Sequence, residues 1–552
     1  MPSSADEIGL LLAHADDRQP TLEGSLDESA LRGSPHPEDG PRSTFLWNEI
    51  KDPNDLAEQR WGLIVPEGPR GDRLLSLVEP LIRRREEQMR AAAPVYRVPS
   101  QMTASEAAQW KRQVFESYDE LRTDLARFQL ILGDLDEVSI AVQQIQGTDG
   151  FVGRLAFDDD AGYEAYVDKL LRSEQAPPKH EQGRSLFFTV HDGTSATTTG
   201  HRALMEPALA LIRSQRDKGK YPARELLEFG DRGDPYPGEL LEQVSEPASV
   251  LFSLSHGAGA PRRGWRSEAD QRQLQGAMSF GAEGLLTAAD VASGAFLPGG
   301  AWFMLACFGA GTPEASKFHP WLKQLAARGA FGGNVASALS SLPPKGSRPF
   351  VAALPKAALQ NPDGPLAFIG HIDLAWTYAF REVDGGLVRR RPGRFVSLVR
   401  TLLERSRAGL ALRELIRFYV QANDELMSLY DEEARAAALG IPAQVDAERL
   451  GHLWMLRQDI SGYVLLGDPA AQLPLALAAE EETVDVVAEF GFPFSITDAG
   501  AGASVDDVEH ALARVILDRV DVAKVAAERG LDVRDLAERV DRYRKAGRGT
   551  VR

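Results

Sequence analysis

Cysteine is almost absent from this sequence, since Cys307 is the only one among 552 residues. A single cysteine excludes an intramolecular disulfide and is typical of proteins kept in a reducing compartment. Long apolar runs are also missing, and none approaches the roughly 18 residues of a membrane-spanning helix. The stretch before Asp17 has an apolar patch, Leu10-Leu11-Leu12, without basic residues ahead of it, so it makes a poor signal peptide. These absences predict a cytoplasmic protein with no membrane segment.

Signatures of bound cofactors are missing too. The sequence has neither a P-loop nor a glycine-rich dinucleotide fingerprint, and its 10 histidines lack the spacing of zinc ligands. We therefore expect no cofactor and no metal. Acidic residues outnumber basic ones by 80 to 62, which gives a net charge of −18. This balance argues against nucleic acid as the main partner and weakly favours cationic peptides.

Two short apolar runs each end in a reactive side chain. Residues 250–255 lead into His256, and residues 301–306 lead into Cys307. Runs of this length bounded by glycine are typical of buried strands in a parallel sheet, and ligands bind at the carboxyl ends of such strands. A histidine and a cysteine at neighbouring strand ends can therefore meet, although 51 positions separate them in the sequence.

This pair suits nucleophilic attack on a carbonyl group. A thiol is mostly protonated at neutral pH, and the imidazole of His256 can take the proton of Cys307 and return one to a leaving amine. The oxyanion that forms needs fixed N–H donors, for which the amides of Gly257 and Cys307 are the natural candidates. Taken singly, the cysteine could be a small buried apolar residue and the His-Gly pair a turn. Their matching positions favour a catalytic dyad.

The segments Leu254-Ser255-His256-Gly257 and Leu305-Ala306-Cys307-Phe308-Gly309-Ala310-Gly311 resemble the His-Gly and Ala-Cys motifs of the caspase–hemoglobinase clan, which includes caspases, gingipains, clostripain and the bacterial CHAT domains. A Leu-Gly-Asp-Pro element at 466–469 extends the resemblance over residues 185–475. The resemblance implies a three-layer α-β-α sandwich and a bacterial thiol protease, a hydrolase with cysteine endopeptidase activity. Members of the clan often use a backbone carbonyl in place of a third side chain, so the resemblance also implies a dyad, and it implies an α/β subdomain ahead of the catalytic domain.

Composition divides the chain into four parts. Residues 1–44 are rich in Pro, Gly, Ser and acidic residues, which predicts a disordered tail, either a solvated leader or a pro-segment. Residues 45–178 have an α/β pattern without cysteine or histidine beside their strand ends, and predict the non-catalytic subdomain. Residues 185–478 predict the caspase-like catalytic domain. Residues 480–552 predict a small accessory helical region that could bind a protein partner.

Three further residues are candidates for substrate binding. By the resemblance, the loop after the strand at 186–190 lines the pocket for the residue before the scissile bond, where Asp192 would pair with Arg or Lys. Asp192 could instead begin an Asp-Gly turn. The loop after the strand at 365–373 carries Asp373 and Trp376, which form either the far wall of the cleft or a satisfied sheet edge.

The sequence leaves two functions to weigh. The leading one is a cysteine endopeptidase that acts on protein or peptide substrates and prefers Arg or Lys before the cut. The alternative is a non-enzymatic caspase-like scaffold, against which the intact pair of His256 and Cys307 argues. A serine hydrolase is disfavoured, because no Gly-x-Ser-x-Gly elbow occurs in a strand–turn–helix setting.

Overall fold

The chain divides into two compact units, residues 1–476 and residues 477–552. The computed structural model describes residues 7–22, 24–27, 29–30, 52–115, 125–230, 235–329, 331, 333–344, 346–384 and 387–476 of the first unit, and residues 524–526, 534, 536 and 537 of the second. The described residues of the second unit are helical. The sequence predicts helices over 505–517 and 521–544; the first lies outside the described residues, as does most of the second.

Twenty strands are present in the described part of the first unit. In chain order they are β1 Glu7–Ile8, β2 Leu12–His14, β3 Leu26–Asp27, β4 Trp61–Pro66, β5 Val95–Val98, β6 Phe128–Leu132, β7 Phe151–Leu155, β8 Gly183–Thr189, β9 Ala223–Phe229, β10 Ser249–Leu254, β11 His256–Gly259, β12 Met278–Ser279, β13 Leu285–Leu286, β14 Ala301–Leu305, β15 Gly311–Thr312, β16 Phe350–Val351, β17 Ala367–His371, β18 Arg381–Asp384, β19 Leu387–Arg390 and β20 Tyr463–Leu466.

Ten of these strands form one sheet in the order β5-β4-β6-β7-β20-β17-β14-β10-β8-β9. All neighbours are parallel except β17 and β20, which are antiparallel. The sheet therefore consists of two parallel halves that run in opposite directions. The carboxyl ends of β10 and β14 lie at one edge, and those of β4, β6 and β7 lie at the other. The carboxyl ends of the strands in the first α/β region therefore lie on the opposite side from His256 and Cys307.

Helices cover both faces of this sheet. In chain order they are α1 Leu56–Gln59, α2 Pro69–Leu77, α3 Glu79–Met89, α4 Ala104–Phe115, α5 Ile140–Gln146, α6 Asp160–Gln175, α7 Ser195–Gly200, a π-helical turn His201–Met205, α8 Glu206–Asp217, α9 Pro237–Gln243, α10 Glu268–Leu274, a 3₁₀ turn Gly281–Glu283, α11 Ala288–Ala292, α12 His319–Ala327, α13 Gly333–Ser340, α14 Ala353–Gln360, α15 Gly393–Leu403, α16 Ala408–Leu439 and α17 Ala447–Ser461. No helix within the described ranges combines the length and apolar character that a bilayer crossing requires.

The core lies on the two faces of the sheet, because alternate residues of a strand point in opposite directions. Phe252 and Phe303 belong to the cluster under α8, α12, α15, α16 and α17. Their neighbours Leu251 and Trp302 belong to the opposite cluster, under α2, α3, α6, α9, α11 and α14. Two helical layers therefore enclose the sheet, and the predicted three-layer α/β architecture is confirmed.

Two predicted elements have different boundaries in the structure. Apolar residues at helical spacing predict a single helix over 72–90, but the structure has two, α2 and α3. Pro80 lies in the first turn of α3, where its missing N–H leaves no hydrogen bond broken. The apolar run over 350–354 predicts a strand, which is wrong beyond Val351, because α14 begins at Ala353. Alanine and leucine dominate α14, and both are strong helix formers.

The prediction of a disordered tail over residues 1–44 is wrong for the described residues among 7–30. Strand β2 pairs with β11, and β1 pairs with β3. Leu10, Leu11 and Leu12 are fully buried. The stretch is polar on average, but it contains the apolar segment Ile8-Gly9-Leu10-Leu11-Leu12-Ala13. The large side chains of this segment belong to the hydrophobic core. Residues 1–6 and 31–44 lie outside the described residues.

Candidate active site

His256 and Cys307 follow the carboxyl ends of two neighbouring strands, at the same distance beyond a pair of facing residues. In the parallel pair of β10 and β14, Leu254 is opposite Leu305, so each reactive residue lies two positions beyond a matched pair. The backbones then come very close together. An ideal Cβ built on Gly257 would lie 1.9 Å from the carbonyl oxygen of Cys307. Only glycine fits at position 257, where the two loops are in contact.

A tight turn follows the cysteine. Phe308 has a φ of 56°, a left-handed conformation that is unusual for a bulky residue. Its N–H donates to the carbonyl of Asp373 at 2.9 Å, and the N–H of Ala310 donates to the carbonyl of His371 at 3.0 Å. The loop after β14 is thus tied to the loop after β17, which holds the backbone of Cys307 in one orientation.

His256 is fully buried, and only one of its two ring nitrogens is hydrogen-bonded. Its Nε2 lies 2.9 Å from the hydroxyl oxygen of Thr194 and 3.7 Å from Oδ2 of Asp192. The Thr194 hydroxyl donates to Oδ1 of Asp192 at 2.8 Å, so it accepts from Nε2–H of a neutral imidazole. Burial lowers the pKa of His256, and the Asp192 carboxylate opposes this shift. Nδ1 makes no hydrogen bond to the described residues, the sulfur of Cys307 included.

Cys307 is fully buried as well. Its sulfur accepts a hydrogen bond from the N–H of Ala375 at 3.2 Å and lies 3.5 Å from the carbonyl oxygen of Ala375. Burial raises the pKa of the thiol well above its usual value, while backbone hydrogen bonds from Ala375 and Leu11 oppose the shift and the charge of Asp373 adds to it. In this state the site therefore holds a neutral thiol and a neutral imidazole.

The two amides predicted to hold an oxyanion converge on one oxygen. The N–H of Gly257 and the N–H of Cys307 both donate to the carbonyl oxygen of Leu11, at 2.9 and 3.0 Å. Two donors at this separation from one oxygen make the geometry of an oxyanion hole. Here the accepting oxygen belongs to a carbonyl group of the same chain.

Asp373 and Trp376 are buried, and Asp192 has a buried side chain on a partly exposed backbone. The carboxylate of Asp192 accepts hydrogen bonds from Thr194 and Thr197 and lies next to the imidazole of His256. The carboxylate of Asp373 accepts from the N–H groups of Leu374 and Lys317, both at 2.8 Å, and burial raises its pKa to about 6.

Trp376 places its backbone, rather than its ring, next to the candidate cleft. The ring packs among other aromatic rings, 5.4 Å from Trp321 and 5.8 Å from Phe318 between centroids. Its backbone forms an antiparallel bridge with Leu10.

Three contributors to the site have no signal in the sequence. Thr194 touches His256, but the Thr-rich stretch at 194–199 predicts only a helix cap. Ala375 contacts the sulfur through backbone atoms, which any residue provides. Leu11 lies 296 positions before Cys307, in a stretch that composition assigns to a tail. The apolar triplet Leu10-Leu11-Leu12 was the one feature that could have indicated burial there.

Fold and site together define an α/β protein with a histidine, a cysteine and two amide donors at one sheet edge. The chain is similar in structure to gingipain R, an Arg-specific cysteine proteinase, with a TM-score of 0.43 and 14% identity over 76% of this chain and 78% of that one. It is also similar to a structure described as a protease, with a TM-score of 0.42 and 12% identity over 78% of this chain and 80% of that one.

A third similar structure is the complex of the pro- and mature domains of RgpB from Porphyromonas gingivalis, with a TM-score of 0.40 and 13% identity over 75% of this chain and 79% of that one. No protein-family model matches the sequence, and no curated protein matches it. A likeness this distant leaves the function to be argued from the side chains and backbone of the site.

Proposed function

We propose that this protein is a cysteine endopeptidase of the caspase–hemoglobinase type, with Cys307 as nucleophile and His256 as general base and then acid. The observation that carries the proposal is the convergence of the Gly257 and Cys307 amides on a peptide carbonyl, directly beside the only thiol. A scaffold protein has no need for two amides that donate to one oxygen from the same loops that carry a cysteine and a histidine.

The chemistry follows from these positions. His256 takes the thiol proton, and the sulfur of Cys307 attacks the carbonyl carbon of the bound peptide. The N–H groups of Gly257 and Cys307 stabilise the negative oxygen of the tetrahedral intermediate. As the C–N bond breaks, the imidazolium returns the proton to the leaving amine. Water, deprotonated by the same imidazole, then hydrolyses the thioester and regenerates the thiol.

Asp192 has two candidate roles in this scheme. Its contacts with Thr194 and its position 3.7 Å from Nε2 of His256 favour a role in orienting the imidazole. A preference for Arg or Lys before the scissile bond also depends on this carboxylate and stays a prediction. Two hydroxyl donors already occupy Oδ1, which leaves Oδ2 as the oxygen that a basic side chain would meet.

Fluorogenic peptides that differ only in the residue before the cut test the proposal. They are offered to the wild type and to Leu11→Asp, which places a charge at the residue whose carbonyl fills the oxyanion hole. We expect cleavage that is lost in Cys307→Ala and His256→Ala, while Asp192→Ala lowers the rate. Absence of cleavage by both proteins, with every peptide of the panel, would rule out the peptidase.

Two finer expectations also stay predictions. One is that residues 480–552 bind a protein partner, which predicts that their removal changes the cleavage of protein substrates and leaves short peptides unaffected. The other is a cytoplasmic location, which fractionation of cells that make the protein would test.

A further inference from the structure

We infer that residues 9–14, here named the N-terminal strap, lie in the peptide-binding cleft as a substrate would, so that they block the site and mark leucine as the residue accepted before the scissile bond. The inference makes two claims. That the site accepts leucine before the scissile bond rests on the proposed peptidase function, whereas that the strap blocks access to Cys307 depends only on the geometry of the strap and Cys307.

The first part of the strap forms a short antiparallel ladder with the loop after β17. The N–H of Gly9 donates to the Thr377 hydroxyl at 2.9 Å, and the N–H of Thr377 donates to the carbonyl of Gly9 at 3.1 Å. The N–H of Leu11 donates to the carbonyl of Ala375 at 3.2 Å. Adding a strand in this way is a common means by which proteins hold an extended peptide, because backbone atoms do the binding.

Leu11 stands at the reacting position of this ladder. Its carbonyl oxygen accepts from both candidate oxyanion donors, and its N–H donates to Ala375, whose own N–H donates to the sulfur of Cys307. The bond presented to the thiol is therefore Leu11–Leu12. The Leu11 side chain is fully buried and belongs to the same apolar cluster as Trp376 and Phe318. Because the strap places a leucine at this position, it favours an aliphatic residue here, in contrast to the Arg or Lys preference predicted from Asp192.

The second part of the strap is also held by backbone hydrogen bonds, here to β11. Residues Leu12–His14 pair in parallel with Gly257–Gly259, and the N–H of Ala15 donates to the carbonyl of Gly259 at 3.1 Å. Nδ1 of His14 lies 2.6 Å from the carbonyl oxygen of Ala260. If Cys307 cleaved the bond, the new amine of Leu12 would stay next to the thioester carbon and attack it again. Anchoring on both sides of the bond thus makes the strap an inhibitor rather than a released product.

Solvent access provides a readout that does not depend on peptidase activity. Cys307 is 0% exposed with the strap in place, and it is the only cysteine of the chain. Alkylation by iodoacetamide can therefore be followed as a single mass shift of the intact protein. Its rate reports the fraction of molecules in which the strap has left the cleft.

The central experiment compares alkylation of the full-length wild type with that of Leu11→Asp and Gly9→Val. The aspartate would be buried without a partner, and an ideal Cβ on Gly9 already lies 3.0 Å from Cα of Ala196. Both changes should displace the strap and raise the alkylation rate by about tenfold or more, since the rate follows the open population. Leu11→Met keeps volume and polarity and should stay as protected as the wild type. Thermal melting checks that every variant is folded.

Adding the strap sequence as a separate peptide distinguishes displacement of the strap from a general loosening of the fold. The synthetic peptide of residues 7–15 should restore protection of Cys307 in Leu11→Asp, whereas the same peptide with aspartate at position 11 should not. Equal alkylation of the wild type and both displaced variants would overturn the blocking role. So would failure of the peptide to protect.

Specificity is then measured on Leu11→Asp with peptides that carry the residues 8–11 sequence and end in Leu, Arg or Asp before the reporter. We expect kcat/KM for Leu to exceed that for Arg by about tenfold or more. Preference for Arg would overturn the leucine assignment. Faster alkylation of the displaced variants without hydrolysis of any peptide would support the blocking role of the strap and overturn the proposed peptidase function. Failure of the strap proposal and failure of the peptidase proposal therefore give different results.

Discussion

Gly257 is the residue where the fold leaves the least room. Replacing it with alanine would put a Cβ 1.9 Å from the carbonyl oxygen of Cys307, so the two loops must move apart. We expect Gly257→Ala to lower the free energy of unfolding by about 1–3 kcal/mol, as overpacking does. Loss of one aligned oxyanion donor should also lower kcat by about 100-fold or more. Urea titration and peptide hydrolysis in the Leu11→Asp background measure both effects.

Gly333→Ala is the matched control for this substitution. An ideal Cβ on Gly333 meets nothing within 4 Å, and the residue begins α13. Alanine there should leave activity unchanged and leave stability unchanged or slightly higher. If Gly257→Ala behaved like Gly333→Ala, the close approach of the loops could not be what aligns the amides.

Thr194 offers a second test at the scale of one residue. Its hydroxyl links Nε2–H of His256 to Oδ1 of Asp192, so Thr194→Val leaves a buried ring N–H without an acceptor. We expect kcat to fall by about 10- to 100-fold with KM little changed, because the imidazole loses orientation rather than contact with substrate. Thr194→Ser should recover most of the rate. A serine variant as slow as the valine variant would contradict the positioning role.

Residues of the site differ in how far the sequence predicts them. His256, Gly257 and Cys307 follow apolar runs with glycine beside them, and this local pattern makes them candidates from the sequence alone. Thr194 and Ala375 act from loops that reach the site only through the fold. Ala375 acts through its backbone, which leaves no trace in residue type.

At the scale of elements, the loop between β17 and α15 depends on a carboxylate from α17. Oδ1 of Asp459 accepts the N–H of Trp376 at 3.0 Å, and Oδ2 accepts the N–H of Ala379 at 3.3 Å. These bonds fix the segment against which the strap lies. The sequence predicted a strand and a polar loop here, but the partner of the loop lies about 80 residues further along the chain. Periodicity within one element does not report such a contact.

The titration of Asp459 gives a stability prediction with a defined sign. Burial raises the pKa of its carboxyl from 3.8 to about 8, against the effect of the N–H groups of Trp376 and Ala379. The nearby His371, whose pKa burial lowers to about 4, and Tyr463 are both uncharged over most of this range. Between pH 4 and 8 the folded protein therefore keeps a proton that the unfolded chain has released, and Asp459 makes the protein less stable as the pH rises.

Urea titrations of the wild type and Asp459→Asn at pH 5 and pH 8 measure this contribution. Asparagine keeps an oxygen acceptor and does not titrate. We expect the free energy of unfolding to fall more steeply with pH in the wild type than in the variant. Parallel pH dependences would show that the carboxyl does not carry a proton in the folded state.

At the scale of the whole molecule, two α/β regions share one sheet. The sequence predicted both regions and their strands, because β4, β6, β8, β10 and β14 are short apolar runs between polar turns. It did not predict that β20 joins β7 in parallel and β17 in antiparallel, so that the halves run in opposite directions. Nor did it predict the strap. Both depend on pairing between segments hundreds of residues apart, which hydrophobic pattern leaves open.

Asp468 holds the junction between the two halves. It follows β20, where Oδ1 accepts from Nε1 of Trp61 in β4 at 2.9 Å, and Oδ2 accepts from Nε and Nη2 of Arg85 in α3 at 2.9 and 2.7 Å. Both charged side chains are fully buried. The Leu-Gly-Asp-Pro element, which the sequence predicts as a turn, therefore also connects the carboxyl end of the described fold to its first α/β region.

Asp468→Ala should lower the free energy of unfolding by about 3 kcal/mol or more, because it leaves the buried guanidinium of Arg85 with Glu174 as its remaining carboxylate. Asp446→Ala is the control, since that exposed residue caps α17 and its loss costs about 1 kcal/mol. Denaturation followed by both circular dichroism and tryptophan fluorescence measures the two costs. Because Asp468 bonds to Trp61 and Arg85 at once, both probes should shift together. A loss no larger than that of the control would mean that apolar packing alone joins the halves.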